Sequence, residues 1–153
     1  MAITKNNESD ILGETAECAC LNLRGAARAV TQMYDETLKP SGLKATQFSV
    51  LATVGSLGSA SMTAISGTLV MDRTTLTRNL KPLMDRGFVR EEKNSDDRRQ
   101  RHIALTRAGR TALSKALPLW DQAQNHVIAG IGHARWQGML RLLDETIHLS
   151  EKS

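Results

Sequence analysis

The chain has 153 residues, 41% hydrophobic and 3% aromatic, with a formal net charge of +4 and a pI near 9.4. That length suits one domain, or one domain with extensions that pair copies, and the apolar fraction suffices for a core. No apolar run is long enough to span a bilayer as a helix, and the scarcity of aromatic residues argues against a surface that stacks splayed single-stranded bases.

The segment MAITKNNESDILGE is polar and lacks the apolar stretch of a secretion signal, so a cytoplasmic protein is expected. Residues 1–12 read as a flexible tail. From Glu14 to Leu38 the apolar positions Ala16, Cys20, Leu23, Ala27, Val30, Tyr34 and Leu38 recur at steps of three and four, which predicts a long helix with one apolar face. Pro40, Ser41 and Gly42 end it. A second helix is expected over Ala45 to Val54, with Phe48, Leu51 and Ala52 inward. Gly55 to Ser61 reads as a turn-rich connection, and a short helix covers Met62 to Leu69. A tight turn follows, with Asp72 as N-cap of a helix from Arg73 to Arg86. Leu76, Leu80, Leu83 and Met84 form its buried stripe, Pro82 is expected to bend it, and Gly87 to cap it.

Phe88 to Glu92 and Arg101 to Leu105 read as two short strands joined by the polar stretch Lys93 to Arg99. Thr106 opens a helix over Arg107 to Ile131, with Leu113, Leu117, Trp120, Ala123 and Val127 on one side and a kink expected at Pro118. A last helix, Ala134 to Leu149, is expected to bury Trp136, Met139, Leu140, Leu143 and Ile147. The sum is a mainly α chain with a small β hairpin. Short helix, tight turn, longer helix and hairpin is the order of a winged helix-turn-helix. The stripes on the terminal helices exceed what that small unit can cover, so the reading is long N- and C-terminal dimerisation helices. The expected division is residues 13–44 and 107–153 for the helical dimerisation region and 45–106 for the DNA-binding domain.

Charge is distributed unevenly. Between Arg73 and Arg110 lie eleven of the twenty Lys and Arg against five Asp and Glu, a formal +6, while the other residues sum to −2. A positive charge concentrated on one helix and one hairpin suits duplex DNA with its two grooves.

The stretch MDRTTLTRNLKPLMDRGFVREEKNSDDRRQRHIALTRAGR resembles the MarR family of bacterial transcriptional regulators. The carriers are Asp72-Arg73-Thr74-Thr75-Leu76-Thr77, Arg86-Gly87-Phe88-Val89, and Asp97-Arg98-Arg99 followed by Ile103-Ala104-Leu105-Thr106 and Gly109. The resemblance implies a two-fold dimer with a winged helix at each lower corner. It also implies a repressor of palindromic operators that a small ligand or oxidant releases, with no cofactor.

The DNA-facing residues follow. An α-helix fits the major groove. Thr74, Thr75, Thr77 and Arg78 occupy the first two turns of the helix that would enter it. Thr can bond a base or pack its methyl on thymine, and Arg78 can bond guanine through two atoms. Arg73 and Lys81 are placed for phosphates, and Arg101 adds to the basic hairpin. The hairpin tip offers Asp97, Arg98 and Arg99, where the resemblance implies that Asp97 steers Arg99 and that the tip arginine enters the minor groove, whose negative potential attracts it.

For sensing, Cys20 falls where the organic-hydroperoxide-sensing branch of the family keeps its reactive cysteine, and Tyr34 matches one supporting tyrosine. Arg24 and Ala45 stand where the other supporting tyrosines would be. Within one helix Cys18 and Cys20 point to nearly opposite sides, so they are expected neither to bridge nor to share a metal. Arg24, four residues beyond Cys20, shares its face and would favour a thiolate. Cys20 as a small interface hydrophobe is the other reading. A further option is a small aromatic acid bound near Arg24, Arg28 and Tyr34. His102, His126, His133 and His148 show no metal spacing.

No nucleophile–base pair, carboxylate cluster or phosphate-cradling loop supports an enzyme. The alternative to a sequence-specific homodimeric regulator is an architectural protein that binds any duplex, and the ratio of specific to non-specific affinity separates them.

Overall fold

The computed structural model describes residues 13, 15–93 and 101–151. Its elements are α1 (Ala19–Leu38), a 3-10 turn (Lys39–Ser41), α2 (Ala45–Leu57), β1 (Ser59–Ser61), α3 (Met62–Thr68), α4 (Arg73–Asp85), β2 (Val89–Lys93), β3 (Arg101–Leu105), α5 (Arg107–Ile131) and α6 (His133–Glu151). The three strands form one antiparallel sheet in the order β1-β3-β2. The architecture is a winged helix-turn-helix, α3–α4 with the hairpin β2–β3, carried between long terminal helices. Among the described residues no helix is long and apolar enough to cross a membrane.

The core lies under the winged unit. Leu38, Leu43, Phe48, Leu51, Val54, Ile65, Leu76, Leu80, Leu83, Val89, Ile103 and Leu105 are buried together, and Phe48 stacks on Trp120 with ring centroids 5.8 Å apart. The stripe expected on α4 is thus the buried one, with Met84 half-buried beside it.

Several expectations shift. The helix expected from Glu14 is interrupted: Thr15 and Ala16 are helical, the chain breaks at Glu17 and Cys18, and α1 runs from Ala19, with the Asn22 carboxamide donating back to the carbonyls of both Ala16 (2.8 Å) and Cys18 (2.9 Å). Cys18 is the N-cap, in extended conformation at φ −60° and ψ 116°. Cys18 therefore stands outside the helical geometry that would set it on the opposite side from Cys20. Gly55 to Ser61 is no loop: α2 runs to Leu57, Gly58 turns the chain at φ +80°, and Ser59–Ser61 pairs with β3, Ala60 opposite Ile103. Ser-Ala-Ser carries no alternating pattern, and only the open edge of β3 makes it a strand. The helices containing Pro82 and Pro118 continue through both residues. On α6 the expected burial is incomplete in the single chain: Trp136, Met139, Leu143 and Ile147 are half-buried and Leu140 is exposed.

The joint between wing and α5 is tight. The Thr106 amide donates to the Phe88 carbonyl (3.0 Å), its hydroxyl donates to the Gly87 carbonyl (2.6 Å), and that hydroxyl caps α5 by accepting from the Gly109 amide (3.0 Å). Gly109 lies against the Phe88 carbonyl with no room for a side chain: a Cβ there would stand 1.9 Å from the oxygen.

Candidate nucleic-acid interface

Helix α4 starts at a well-made cap. Both oxygens of the Asp72 carboxylate are used, one accepting the Thr75 amide (2.8 Å) and the other the Thr75 hydroxyl (2.6 Å). These bonds, the hydroxyl's first, hold the Asp72 carboxyl below its ordinary pKa. Negative charge at a helix N-terminus is favourable in itself. The cap fixes the first turn and so the direction in which Arg73, Thr74, Thr77 and Arg78, all exposed, leave the helix.

The hydroxyls are unevenly available. Thr75 gives its proton to Asp72, and Thr77 gives its own to the Arg73 carbonyl (2.8 Å), so both are left as acceptors. The Thr74 backbone amide also bonds the Asp72 carboxylate, while its hydroxyl makes no hydrogen bond among the described residues and keeps its donor.

Between α4 and the wing runs an open groove of about 1050 Å³. It brings together four of the expected residues: Arg73, Thr77 and Lys81 from α4 and Arg101 from β3. Its far edge is the start of α3, with Ser61, Met62 and Thr63. Thr74 and Arg78 lie outside this lining. Asp97, Arg98 and Arg99 fall outside the described residues, so the expected wing-tip contact has no geometry here.

The groove also holds two carboxylates that sequence reasoning left out. Lys81 pairs with Asp85 at 3.1 Å and Arg101 with Glu91 at 2.9 Å. The signals were present: Asp85 is four residues beyond Lys81 on one helix, and Glu91 is diagonal to Arg101 across β2–β3, where Glu91 opposes Ile103 and Lys93 opposes Arg101. All four side chains are well exposed, so each pair contributes at most about 1 kcal/mol. Such pairs hold the cations in place yet release them readily to a phosphate.

The wing is braced from beneath. Glu92 accepts from Arg90 beside it and from the Ser59 hydroxyl (3.1 Å) on β1, a strap across β3. Arg90, then Ser59, keeps the Glu92 carboxyl below its ordinary pKa. At the rear of α4 the Arg86 guanidinium donates to the Gly42 carbonyl (2.8 Å) and sits over the Phe88 ring at 4.4 Å, tying helix, turn and wing together.

The residues expected to sense an effector are not gathered in the same way. Cys20, Arg24 and Arg28 are exposed along α1, and both cysteines are free thiols. Tyr34 is half-buried, its hydroxyl bonded to Gln124 of α5, and burial raises its phenol above the ordinary pKa. It therefore ties α1 to α5.

A family model described as MarR family matches residues 43–100, the winged unit. A crystal structure of the transcriptional regulator MosR of M. tuberculosis in complex with DNA is 42% identical, covers 89% of this chain and 98% of its own, and superposes with a TM-score of 0.80. The transcriptional repressor CouR of Rhodococcus jostii, bound to a 23-mer DNA duplex, is 26% identical over 88% of this chain and 96% of its own, with a TM-score of 0.77. The HTH-type transcriptional regulator YwoH of Bacillus subtilis is 30% identical over 82 residues, 54% of this chain, and that match spans 59% of YwoH. The chain belongs to the MarR family of DNA-binding transcriptional regulators.

Proposed function

We propose that the protein is a homodimeric repressor that reads a palindromic operator and leaves it when an oxidant or a small ligand acts on the dimerisation helices. The observation that carries the reading is the interface itself. Arg73, Thr74, Thr77 and Arg78 are exposed on the capped end of α4, with Lys81 and Arg101 lining the adjoining groove. Helix N-terminal residues of a helix-turn-helix reach base edges, and flanking cations take phosphates. In this arrangement Arg78 reads bases, while Arg73, Lys81 and Arg101 position the protein. The wing tip, with Asp97, Arg98 and Arg99, is assigned to the minor groove by resemblance to the family.

Pairing of two copies is supported by the apolar side chains left in water. Leu21 (53% exposed), Leu23 and Val30 on α1 and Leu140 and Leu142 (64%) on α6 are uncovered in the single chain. Apolar exposure of this extent on the two terminal helices marks an association surface. Symmetric pairing places two α4 helices on half-sites about one helical turn apart, which is why the operator is taken as palindromic.

Release is assigned to α1. Cys20 is an exposed thiol in its first turn with Arg24 one turn on, and oxidation there adds polar bulk where two copies meet.

The test is selection of duplexes from a random-sequence pool, followed by titration of the winner with cumene hydroperoxide and with a panel of aromatic acids. A palindromic winner bound by one dimer and released by either agent is expected. Equal affinity for the winner and for scrambled duplex at fixed salt refutes sequence reading and leaves an architectural duplex binder.

A further inference from the structure

Helices α3 and α4 end in the same backbone motif. After α4, the Phe88 amide donates to the Leu83 carbonyl (2.9 Å) and the Gly87 amide to Met84 (2.9 Å), with Gly87 left-handed at φ +67°. After α3, the Met71 amide donates to Ser66 (2.9 Å) and the Val70 amide to Gly67 (3.2 Å). Here the left-handed residue is Val70, at φ +49°. The motif suits glycine or asparagine, because a Cβ in that conformation crowds the following carbonyl. A β-branched side chain is the worst choice, and Val70 is the only non-glycine residue at positive φ among the described residues. Burial of the side chain does not offset the strain, since Val70 is 62% exposed. For folding alone, glycine would serve better.

Its position supplies another use. Val70 stands two residues before the Asp72 cap, at the leading edge of the helix that carries Thr74 and Arg78. Resting on the reading of α4 as the helix that enters the major groove, we propose that Val70 is a specificity-determining residue. Its methyl groups are presented to an apolar edge of the duplex, a thymine C5-methyl or an adjoining deoxyribose. The thymine methyl is the apolar mark on a major-groove base edge, and a small aliphatic group is what reads it. The exposed neighbours Arg73, Thr74 and Arg78 bring hydrogen bonds and charge. Val70 is the large hydrophobic residue left exposed at this end of α4. Local strain held at a contact point, with no compensating burial, is the pattern of a site kept for binding.

The experiment uses the full chain and a duplex selected from a random-sequence pool by the wild-type protein. Val70→Gly and Val70→Asn are expected to raise Tm by about 2–4 °C at equal protomer concentration. They are also expected to weaken binding to the selected duplex roughly four- to tenfold, the effect of losing one or two buried methyl groups. Replacing each thymine in turn by deoxyuridine distinguishes the two sources. If a thymine methyl is read, one replacement per half-site weakens wild type and leaves Val70→Gly unaffected. If deoxyribose is read, no replacement distinguishes wild type from variant, while the variant's loss remains. Val70→Gly binding as tightly as wild type overturns the inference, and if Arg78→Ala is weakened in the same assay the reading of α4 survives. If Arg78→Ala also binds as wild type, or no duplex is enriched, the reading of α4 falls and the inference with it.

Discussion

Replacing Gly109 by alanine adds a single methyl group, and the structure assigns it a large cost. An alanine Cβ would stand 1.9 Å from the Phe88 carbonyl oxygen, 2.8 Å from its carbon and 3.2 Å from the Phe88 Cα. All three are backbone atoms, so no side chain can swing aside. Phe88 or α5 must move, and both are fixed to the same joint. The Phe88 carbonyl accepts the Thr106 amide, the Thr106 hydroxyl bonds the Gly87 carbonyl, and the Gly109 amide bonds that hydroxyl as the helix cap. Opening the joint loses a cap at about 1 kcal/mol and two hydrogen bonds at about 1 kcal/mol each. Overpacking adds roughly 1–3 kcal/mol. Alanine's better helix propensity returns about 1 kcal/mol.

The net expectation is a loss of about 3–5 kcal/mol, a large share of the 5–15 kcal/mol typical of a folded domain. Urea denaturation followed by circular dichroism at fixed protomer concentration measures it. Gly67→Ala is the control, because a Cβ at Gly67 meets nothing within 4 Å. It should be neutral or slightly stabilising. A Gly109→Ala loss below about 1 kcal/mol would refute the reasoning, since the joint would then be loose enough to absorb the clash.

Arg78→Ala should weaken the selected duplex by about 1–3 kcal/mol and relax its sequence preference in a fluorescence-anisotropy titration. Lys81→Ala should weaken all duplexes alike and reduce the salt slope by about 1. Asp72→Ala should destabilise the fold at neutral pH: the carboxyl's folded-state pKa is depressed, so its contribution is present above the ordinary carboxylate pKa and lost as pH falls through the lower folded value. Denaturation curves of variant and wild type should therefore converge in acid. Val30→Glu should shift the monomer–dimer equilibrium at least tenfold toward monomer, about 1.4 kcal/mol, by light scattering; an unchanged mass would remove α1 from the interface. Cys20→Ser should bind DNA and resist cumene hydroperoxide in a gel shift, and release of that variant like wild type would remove Cys20 from the switch.

The elements legible in the sequence are those whose own residues dictate them. Leu76, Leu80 and Leu83 recur at helical spacing, Asp72 precedes a run of threonines, and α5 begins after Thr106 and ends before Gly132, where the backbone turns at φ +91°. What was not legible depends on partners distant in the chain. Ser59–Ser61 becomes a strand only because β3 lies beside it. The break at Glu17 and Cys18 before α1, where the Asn22 side chain bonds Ala16 and Cys18, has no signal in the apolar spacing. In the candidate interface the cations were legible from charge alone, whereas their pairing with Asp85 and Glu91 needed the helix and hairpin geometry. The double use of Asp72 by Thr75 was hidden for a similar reason: a cap is visible as a residue type, but the second bond depends on the threonine's rotamer.

The way the two halves are joined bears on how a change at the dimer helices would reach DNA. Tyr34 ties α1 to α5 through Gln124, and Phe48 of α2 stacks on Trp120 of the same helix. Helix α5 is thus packed near and beyond its middle against α1, assigned to dimerisation, and α2, assigned to the winged unit. Its first turn meets the wing at Thr106 and Gly109, where backbone touches backbone and no side chain cushions the contact. Close-packed joints of this kind transmit displacement instead of absorbing it. Helix α5 has 25 residues, about 37 Å at the usual rise, so a tilt of a few degrees at one end displaces the other by ångströms. Base-edge hydrogen bonds do not tolerate that displacement. On the proposed reading, a repacking around α1 would shift α5 and with it the position of α4 on its half-site, and the tight joint at Gly109 would carry that shift. A variant that loosens this joint while staying folded should bind the selected duplex yet respond less to whatever agent acts on α1.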